Sequence, residues 1–509
     1  MSNYAEQILE ALIKGVNDPT SVAPVVPQDL EMIAHNTLWT ETSHNELTLL
    51  KLVPQVKATQ IQHEYTLITS YSDDRRVTTY FSERSTPPTS AVSFRRMKET
   101  VKLAGNLMPT TLLASLEETI TGLGTKGVEG IVDVASRLAL MRGMNKDAYF
   151  SRNDVTRLGS ADVRPRGLWQ QIEEGTDGTG VDADNVALDP SPYGVHVIDL
   201  EGQALVWDNI RNKYAEIVTL FGAPNTLISD PFARADFEKS LEGNRWIGTP
   251  HEAKPFLVGD MSAGLVTQGG TVWFETDNIL TPKWAFGQYT SKVYDGMPTA
   301  RPTVSGAVTT ASPTKWDTNS AGNWFWIVTE TVNSLESLGT RWPASGVQAV
   351  AAGEIVTLTC TAGNPSADSF RVYRGSASAT DTEAWFIFEQ ANSSSGASVA
   401  VVDRNYIRPN TSVAFMLSIH SASSRSLHTE DPRGYANRYA AAGADSARLY
   451  QQADDSRNTV AMATLGPTMG LLEMARIVPT IRNPLLYSAN TPLVRNPFQN
   501  LLFKNIGRA

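Results

Sequence analysis

The sequence predicts a mixed α+β protein in which an all-β section interrupts the parent unit. Three observations support this fold class. Residues 125–147 carry apolar side chains every three or four positions, the period of a helix with one apolar stripe. Residues 61–71 and 91–105 alternate between apolar and polar side chains, which is typical of strands. Residues 301–408 contain short apolar runs between turn residues and have no helical pattern.

Composition limits the classes of function. A chain of 509 residues is too long for one core, so about two to four domains are expected. The net charge of −10 argues against a protein whose main task is to bind nucleic acid. Cys360 is the only cysteine, which excludes an intrachain disulfide and a cysteine zinc site, and it is expected to be a small buried residue. No apolar run is long enough to span a membrane, and no signal peptide is recognisable, so a soluble protein is expected.

The predicted helix over 125–147 is the element around which the parent unit is expected to pack. Acidic residues fall in its first half and basic residues in its second half, which complements the helix dipole. Thr125 is the expected N-cap, and Gly143 with Asn145 marks the expected end. An aromatic turn is expected to follow at 147–151.

The region before this helix is predicted to be extended and poor at burying itself. A short amphipathic helix at 4–14 leads into a segment punctuated by prolines, so residues 1–50 are expected to form an arm. Residues 51–102 are expected to form a long two-stranded flap with a polar turn. An isolated hairpin is marginally stable in water, so the flap is expected to lie on another surface.

Two pairs of arginines lie on this predicted flap: Arg75, Arg76, Arg95 and Arg96. One hypothesis is that they pair electrostatically with an acidic neighbouring subunit, and the alternative is that they are simply solvated. They are the candidate inter-subunit contacts of the sequence.

The rest of the parent unit is predicted as alternating helices and strands. Residues 167–175 are expected to form a short helix or strand, 200–220 a second amphipathic helix, and 226–229 a buried strand, with another strand at 269–275. After residue 408 the parent unit resumes, and its end at 481–507, short apolar pieces cut by Pro484, Pro492 and Pro497, is expected to supply edge elements that complete it.

The inserted section is predicted to be an immunoglobulin-like sandwich. Its spacing of strands and turns is typical of that class. Trp324 and Trp326 are expected to lie on one face of their strand and to fill its core. The predicted strands are 323–332, 353–360, 369–375, 384–390 and 398–403.

In its order of parts, the chain from Leu30 to the C-terminus resembles the major capsid proteins of tailed phages with the Hong Kong 97 fold. The branch it resembles is that of large myophages, whose capsid protein carries an immunoglobulin-like insertion. The segments that carry the resemblance are 30–67 (arm and E-loop), 130–151 (spine helix and aromatic turn), 166–172 (a Gly-Leu junction), 369–390 (a hairpin of the insertion) and 478–507 (the closing segment).

The resemblance implies a domain organisation. It would consist of an N-terminal arm (1–50), an E-loop (51–102), the first part of the peripheral and axial domains (103–300), the immunoglobulin-like insertion (301–408), and the closing part of those domains (409–509).

The resemblance also implies a function. The chain would assemble with copies of itself, as hexamers and pentamers, into an icosahedral shell around double-stranded DNA that it contacts only by non-specific proximity. Portal, scaffolding and decoration proteins would be further partners, and no membrane would be involved. The protein would be made in the host cytoplasm and reside in the virion.

No motif predicts a catalytic, cofactor or metal site. The glycine-rich stretch 122–127 lacks the spacing of a phosphate loop. Asp177, Asp182 and Asp184 could offer oxygen ligands to calcium but miss the regular spacing, so a solvated turn is favoured. A zinc site is likewise disfavoured by the spacing of three further residues: His420, His428 and Asp431.

Two alternatives to a shell protein are compatible with the sequence. One is a tail or baseplate component with a sandwich adhesion module. The other is a carbohydrate-active enzyme that uses paired carboxylates, for which Glu201 and Asp208 are the candidates because seven residues on a helix would place them on one face.

Overall fold

A computed structural model describes most of the chain between Thr48 and Gly507. The described residues are 48–70, 83, 93–107, 110–111, 128–153, 164–188, 190–191, 194–219, 224–242, 265–267, 270–285, 287–294, 296–332, 335–377, 379–392, 398–419, 459–466, 470–473, 481–482 and 484–507. Several predictions fall outside them: nearly all of the N-terminal arm, Arg75 and Arg76, Thr125, the stretch 122–127, and the histidine group at 420–431.

The described helices are α1 (Thr48–Leu52), α2 (Val128–Phe150), α3 (Leu168–Asp177), α4 (Trp207–Thr219), α5 (Pro231–Glu242) and α6 (Pro282–Ala285). The described strands are β1 (Gln55–Lys57), β2 (Gln62–Ser70), β3 (Ser93–Thr100), β4 (Lys102–Leu107), β5 (Thr110–Thr111), β6 (Val197–Asp199), β7 (Thr226–Ser229), β8 (Leu265–Thr267), β9 (Gly270–Thr276), β10 (Thr303–Thr310), β11 (Gly322–Val332), β12 (Leu335–Glu336), β13 (Thr340–Trp342), β14 (Gln348–Val350), β15 (Glu354–Thr361), β16 (Ser369–Ser376), β17 (Trp385–Ala391), β18 (Ser398–Asp403), β19 (Ser412–Leu417), β20 (Val460–Thr464), β21 (Gly470–Glu473), β22 (Ile481–Arg482), β23 (Pro484–Val494) and β24 (Leu501–Ile506). The predicted α+β class is confirmed.

Helix α2 runs further than its sequence predicts. Gly143 and Asn145 do not end it, because the side chains that follow are held by the body of the protein. The Asn145 amide and the Tyr149 hydroxyl donate to the buried carboxylate of Asp277, at 3.0 and 3.1 Å. The predicted aromatic turn is therefore the last turn of the helix. Long-range hydrogen bonds outweigh the weak helix propensity of Gly and Asn at this point.

Two sheets enclose the core of the parent unit. A five-stranded sheet has the order β1-β20-β23-β21 with β4 also paired to β23, and a six-stranded sheet has the order β6-β24-β19-β7-β9-β8. One core cluster joins α1, the end of α2 and α3 to strands of both sheets. A second cluster packs α4 and α5 on the six-stranded sheet. The buried strand predicted at 226–229 is β7, in the middle of that sheet.

The sequence predicts that the proline-rich closing segment supplies edge elements. The structure differs, because part of this segment lies inside a sheet. Strand β23 contains Pro484 and Pro492, yet it lies between other strands of its sheet. Beyond residue 490 its open edge faces α3, where the Gln171 side chain donates to the Pro492 carbonyl and accepts from the Val494 amide, both at 2.8 Å. Because a glutamine side chain replaces a neighbouring strand here, the missing N–H of Pro492 breaks no ladder bond.

The inserted section forms two antiparallel sheets packed around a common core. One has the order β10-β15-β18, and the other is β12-β11-β16-β17 with β13 and β14 also paired to β11. Trp326 is fully buried in this core, Trp324 packs against it, and Cys360 is buried inside it, as predicted. That this sandwich is immunoglobulin-like, and that the domain boundaries lie where the resemblance implies, stay predictions. In the described part of the chain, no helix is long and apolar enough to cross a membrane.

Candidate functional site at the base of a two-stranded ribbon

The predicted flap is present as a ribbon, here defined as strands β2 and β3. Among the described strands they pair only with each other, from Gln62 opposite Thr100 to Ser70 opposite Ser93. The preceding strand β1 and the following strand β4 both belong to the five-stranded sheet, so the ribbon is shorter than the predicted 51–102. It leaves the body of the protein at β1 and returns at β4.

One face of the ribbon packs on a loop of its own chain. This loop, residues 178–188, follows α3 and is closed by a bridge between Val181 and Ala187. Leu67 and Met97 of the ribbon form a small apolar cluster with Leu188 of the loop. The ribbon is therefore partly buried on its own subunit, which the sequence pattern did not indicate.

Basic residues of β3 add polar contacts to the same loop. Arg96 pairs with Asp184 at 3.0 Å, and Arg95 lies 3.8 Å from Asp182 and donates to the Ala187 carbonyl at 2.6 Å. Two of the four candidate arginines thus have acidic partners within the chain. An inter-subunit role for Arg75, Arg76, Arg95 and Arg96 stays a prediction.

The three aspartates considered for calcium are used in other ways. Asp177 accepts hydrogen bonds from the amide and hydroxyl of Thr179, and Asp182 accepts from the Asp184 and Val186 amides. In the described ranges, no group of three or more histidine, cysteine or acidic side chains is arranged to hold a metal ion. The aspartates stabilise the turns of the loop, and Asp182 and Asp184 offset the positive charges of Arg95 and Arg96 on the ribbon.

A charged cluster lies where the ribbon meets α3; Glu99 is buried in it, and the Glu174 side chain is 25% exposed. Glu99 of β3 is only 5% exposed and accepts from Nη1 of Arg166 at 2.8 Å. Nη2 of the same guanidinium donates to Glu174 of α3, which also accepts from the Gln170 amide at 2.7 Å. Burial, reinforced by the negative charge of Glu174 and opposed by Arg166, raises the pKa of Glu99 to about 7.

Sequence reasoning missed this cluster. Glu99 occupies an ordinary position of an alternating strand, and its burial depends on residues far away in the chain. The glycine-leucine stretch after Arg166 indicates only a junction. No local signal distinguishes a buried glutamate in a strand from a solvated one, so only the tertiary arrangement identifies it.

A tyrosine connects the ribbon to the five-stranded sheet. The Tyr65 hydroxyl donates to the Val494 carbonyl of β23 at 3.1 Å. Burial raises the pKa of Tyr65 above its ordinary value, so the phenol stays protonated. Together with the loop and the charged cluster, this bond fixes the direction in which the ribbon leaves the body.

Exposed leucines lie on one face of the five-stranded sheet, on strands β4 and β21. On β4 the side chains of Leu103 and Leu107 are 67% and 42% exposed, and Leu472 of β21 is 51% exposed. Leu107 and Leu472 both lie opposite Leu485 of β23, so these leucines share a face. Contiguous apolar patches of this kind mark interaction surfaces more often than solvated ones. We call Leu103, Leu107 and Leu472 the leucine face.

A cavity of about 790 Å³ lies between the end of α2 and the sandwich. Lys146, Trp169 and Phe386 line it, and Arg164 crosses it to pair with Glu389 at 3.1 Å. Burial, with the positive charges of Arg371 and Arg164, lowers the pKa of Lys146 to about 8. The cavity has no catalytic arrangement that the geometry reveals.

The carboxylate pair proposed for an enzyme does not share a helix face. Glu201 has a φ of 54° and precedes α4, whereas Asp208 lies in the first turn of that helix. The helix begins at Trp207 because Glu201 and Gly202, with a φ of 83°, form a left-handed turn. The helix predicted over 200–220 was therefore too long at its start. Cys360, expected to be a small buried residue, is buried, and burial raises the pKa of its thiol to about 12.

No family model matches the sequence, and no curated protein matches it. Solved structures match over most of the chain at low identity. An encapsulin complex, holo-SrpI from Synechococcus elongatus PCC 7942, matches with a TM-score of 0.37 and 7% identity, covering 94% of this chain and 95% of the other. A chain from Gordonia phage Cozz matches with a TM-score of 0.36 and 9% identity, covering 96% of each chain. The capsid of an empty GTA particle matches with a TM-score of 0.35 and 8% identity, covering 93% of this chain and 100% of the other. At these scores the likeness is loose and assigns no function to this chain.

Proposed function

We propose that this protein is a major capsid protein whose copies assemble, as hexamers and pentamers, into an icosahedral shell. The observation that carries the proposal is the ribbon, whose two strands pair only with each other among the described strands. A two-stranded sheet is marginally stable in water unless it packs on another surface. The loop at 178–188 supplies such a surface for one face of the ribbon, through Leu67 and Met97.

The opposite face of the ribbon is available to a surface outside the subunit. Gln62, Glu64 and Thr66 are exposed on β2, and Ile61 just before it is 64% exposed. Copies of the same chain can supply this surface in a closed lattice, since each heterologous contact is repeated by symmetry. Each contact can be modest, because many of them act together.

The leucine face offers a second contact of the same kind. Three exposed leucines on the two strands β4 and β21, which both pair with β23, would lose their contact with water if another subunit covered them. About 25 cal/mol for each Å² of apolar surface is gained in such burial. The ribbon and the leucine face together give the subunit separate surfaces for different neighbours.

The finer parts of the proposal follow the resemblance of the sequence. The fold is taken to be that of Hong Kong 97, in its myophage branch, with residues 301–408 as an immunoglobulin-like insertion on the outer surface. Packaged double-stranded DNA is contacted only by proximity, which suits a chain of net charge −10. The protein is proposed to have no enzymatic activity and no membrane partner. It is made in the host cytoplasm, resides in the virion, and meets portal, scaffolding and decoration proteins there.

The test is negative-stain electron microscopy of the purified, concentrated chain, combined with light scattering. Uniform closed particles or sheets of hexamers support the shell. Trimers or single hexamers in solution would favour the alternative, a tail or baseplate component. A chain that stays monomeric at high concentration contradicts both.

Changing Leu103 and Leu472 to glutamate should abolish assembly while leaving the subunit folded. Two charges on the leucine face would have to be desolvated at the contact, which is costly without partners. The measurement is the fraction of protein in large particles by sedimentation. Phe232→Glu is the matched control, because Phe232 is 52% exposed on α5 and not on the leucine face. If the leucine variant and the control both assemble to the same extent as the natural protein, the leucine face is not a subunit contact.

Reversing the charges of Arg75 and Arg76 to glutamate should impair assembly. These residues belong to the predicted turn of the flap, and pairing with an acidic neighbour would turn into repulsion. Sedimentation at several salt concentrations checks this, since the deficit should shrink as salt screens the charges. Arg211→Glu, an exposed change on α4, serves as the control. An assembly curve identical to that of the natural protein would show that the pair is only solvated.

A further inference from the structure

Two carboxylates share one arginine across the junction between ribbon and body. Glu99 lies on β3, Glu174 lies on α3, and Arg166 precedes α3 and donates one guanidinium nitrogen to each. Nε of Arg166 is buried and has no hydrogen-bond partner within the described residues. The cluster therefore holds two acids and one base, and its net charge is −1 when both acids are ionised and zero when one is protonated.

Other titratable groups near the junction do not supply the missing positive charge. His63 lies directly opposite Glu99 on β2, and burial together with the charge of Arg495 lowers the pKa of this histidine. Tyr65 stays a neutral phenol, because burial raises its pKa. Arg495 acts on Tyr65 and His63, and Arg166 is the arginine whose charge acts on Glu99 itself.

We propose that Glu99, Arg166 and Glu174 form a proton-controlled latch that holds the base of the ribbon against α3. When Glu99 takes a proton from solvent, one of its oxygens still accepts from Arg166 and the cluster is neutral. When the proton leaves, an uncompensated negative charge is buried between the ribbon and α3. Since a buried unpaired charge is strongly unfavourable, the ribbon base is then released toward water.

The direction of the pH dependence follows from the geometry of the cluster. In the latched state, burial and Glu174 raise the pKa of Glu99 from its ordinary 4.5 to about 7, against the opposing effect of Arg166. A raised pKa means that the latched state binds the proton more tightly than the released state. The latch is therefore strongest below the ordinary pKa and weakens as the pH rises from there through about 7.

The polar contacts of Arg95, Arg96 and Lys98 lie farther along the ribbon from Glu99. They join the ribbon to the loop at 178–188 and not to α3; Lys98, for example, donates to the Ala183 carbonyl at 2.9 Å. These contacts would keep the middle of the ribbon in place while its base separates from α3. Opening the latch would thus change the angle between the ribbon and α3, while the ribbon stays packed on the loop at 178–188.

Hydrogen exchange of the full-length, unassembled chain tests the latch. Exchange rates of β2 and β3 amides, corrected for the intrinsic effect of pH, are compared between pH 5.5 and pH 8.5. In the natural protein, protection near Glu99 should fall by at least about tenfold, since each unit of pKa difference between two states changes their equilibrium tenfold. Glu99→Gln, which cannot ionise, should keep the high protection at both pH values.

Glu64→Gln is the matched control, because Glu64 is an exposed acid of the same ribbon that lies 3.7 Å from Arg96. It should leave the pH dependence of the natural protein unchanged. Glu174→Gln removes the competing charge from the other side and should raise protection at pH 8.5, which gives a second reading if Glu99→Gln does not fold. Protection that is independent of pH in the natural protein, or an unchanged pH dependence in both cluster variants, would overturn the latch. Since this measurement needs no assembly, its failure is distinct from a failure of the proposed shell.

Discussion

Replacing Arg374 by leucine should destabilise the sandwich by about 3–5 kcal/mol, the usual cost of removing one partner of a buried ion pair. The Arg374 guanidinium is 1% exposed, pairs with Asp403 at 2.7 Å and donates to Asn405 at 2.6 Å. Its plane also stacks near the rings of Trp316 and Trp324, at 4.6 and 5.0 Å. The substitution would leave Asp403 buried without its cation, because Trp326 and the Asn405 amide would be its remaining donors.

Chemical denaturation followed by tryptophan fluorescence measures this effect, since Trp316, Trp324 and Trp326 lie in the sandwich next to this ion pair. Arg404→Leu is the control. Arg404 is the residue after Asp403, and its side chain donates to the Pro313 carbonyl at 2.8 Å. The control should cost less than about 1 kcal/mol, as is usual for partly exposed polar groups. A loss of similar size in both variants would contradict the central role given to Arg374.

Replacing Asp277 by alanine should cost about 3 kcal/mol, because several buried donors would lose their shared acceptor. Asp277 is 1% exposed and accepts from Asn145, Tyr149 and the Ile279 amide. It thereby ties the end of α2 to the short 3-10 turn that precedes α6. Loss of this carboxylate should unfold the last turns of α2 first.

Thermal unfolding by circular dichroism, with hydrogen exchange in residues 144–150, measures this second effect. Asp208→Ala is the matched control, because Asp208 is an exposed acid in the first turn of α4. Its loss should change stability by less than about 1 kcal/mol, the range of charge effects at a helix start. Equal protection of the end of α2 in Asp277→Ala and the natural protein would show that packing, and not this carboxylate, holds the helix end.

Patterns with a clear period were predicted well from the sequence. The α+β class, the long helix, the buried strand β7 and the strands of the sandwich are all present, and Trp324 and Trp326 contribute to the core as expected. Apolar spacing identifies such elements because it reflects which side of an element is buried. The boundaries were less accurate, since they depend on contacts that are distant in sequence.

Three boundaries or placements predicted from the sequence are wrong, because structure outside the local pattern decides each of them. Helix α2 continues through Gly143 because Asp277 binds side chains beyond it, and β23 accepts Pro492 inside a sheet because Gln171 replaces a neighbouring strand. The start of α4 was misplaced because Glu201 adopts a left-handed backbone conformation next to Gly202. In each case a tertiary contact or a turn overrides the local propensity, and a single sequence does not reveal it.

The candidate site was only half predictable. The alternating strands of the ribbon and its arginines are visible in the sequence. The charged cluster of Glu99, Arg166 and Glu174 is not, because its members are separated by up to 75 positions and none stands out in its own segment. The aspartates, for which the sequence favours a turn over a calcium site, bond loop amides and ribbon arginines.

Cross-linking mass spectrometry on assemblies made from equal amounts of ¹⁴N- and ¹⁵N-labelled chain tests most directly whether the ribbon lies on other copies. Lys57 precedes the ribbon and Lys98 lies within it. An amine-specific cross-linker reacts with lysine side chains and therefore reports on this region. If the ribbon lies on other copies, abundant cross-links join a light peptide from this region to a heavy peptide of another copy. Cross-links found only within one isotopic form, from a chain that sediments as a monomer, would contradict this placement of the ribbon.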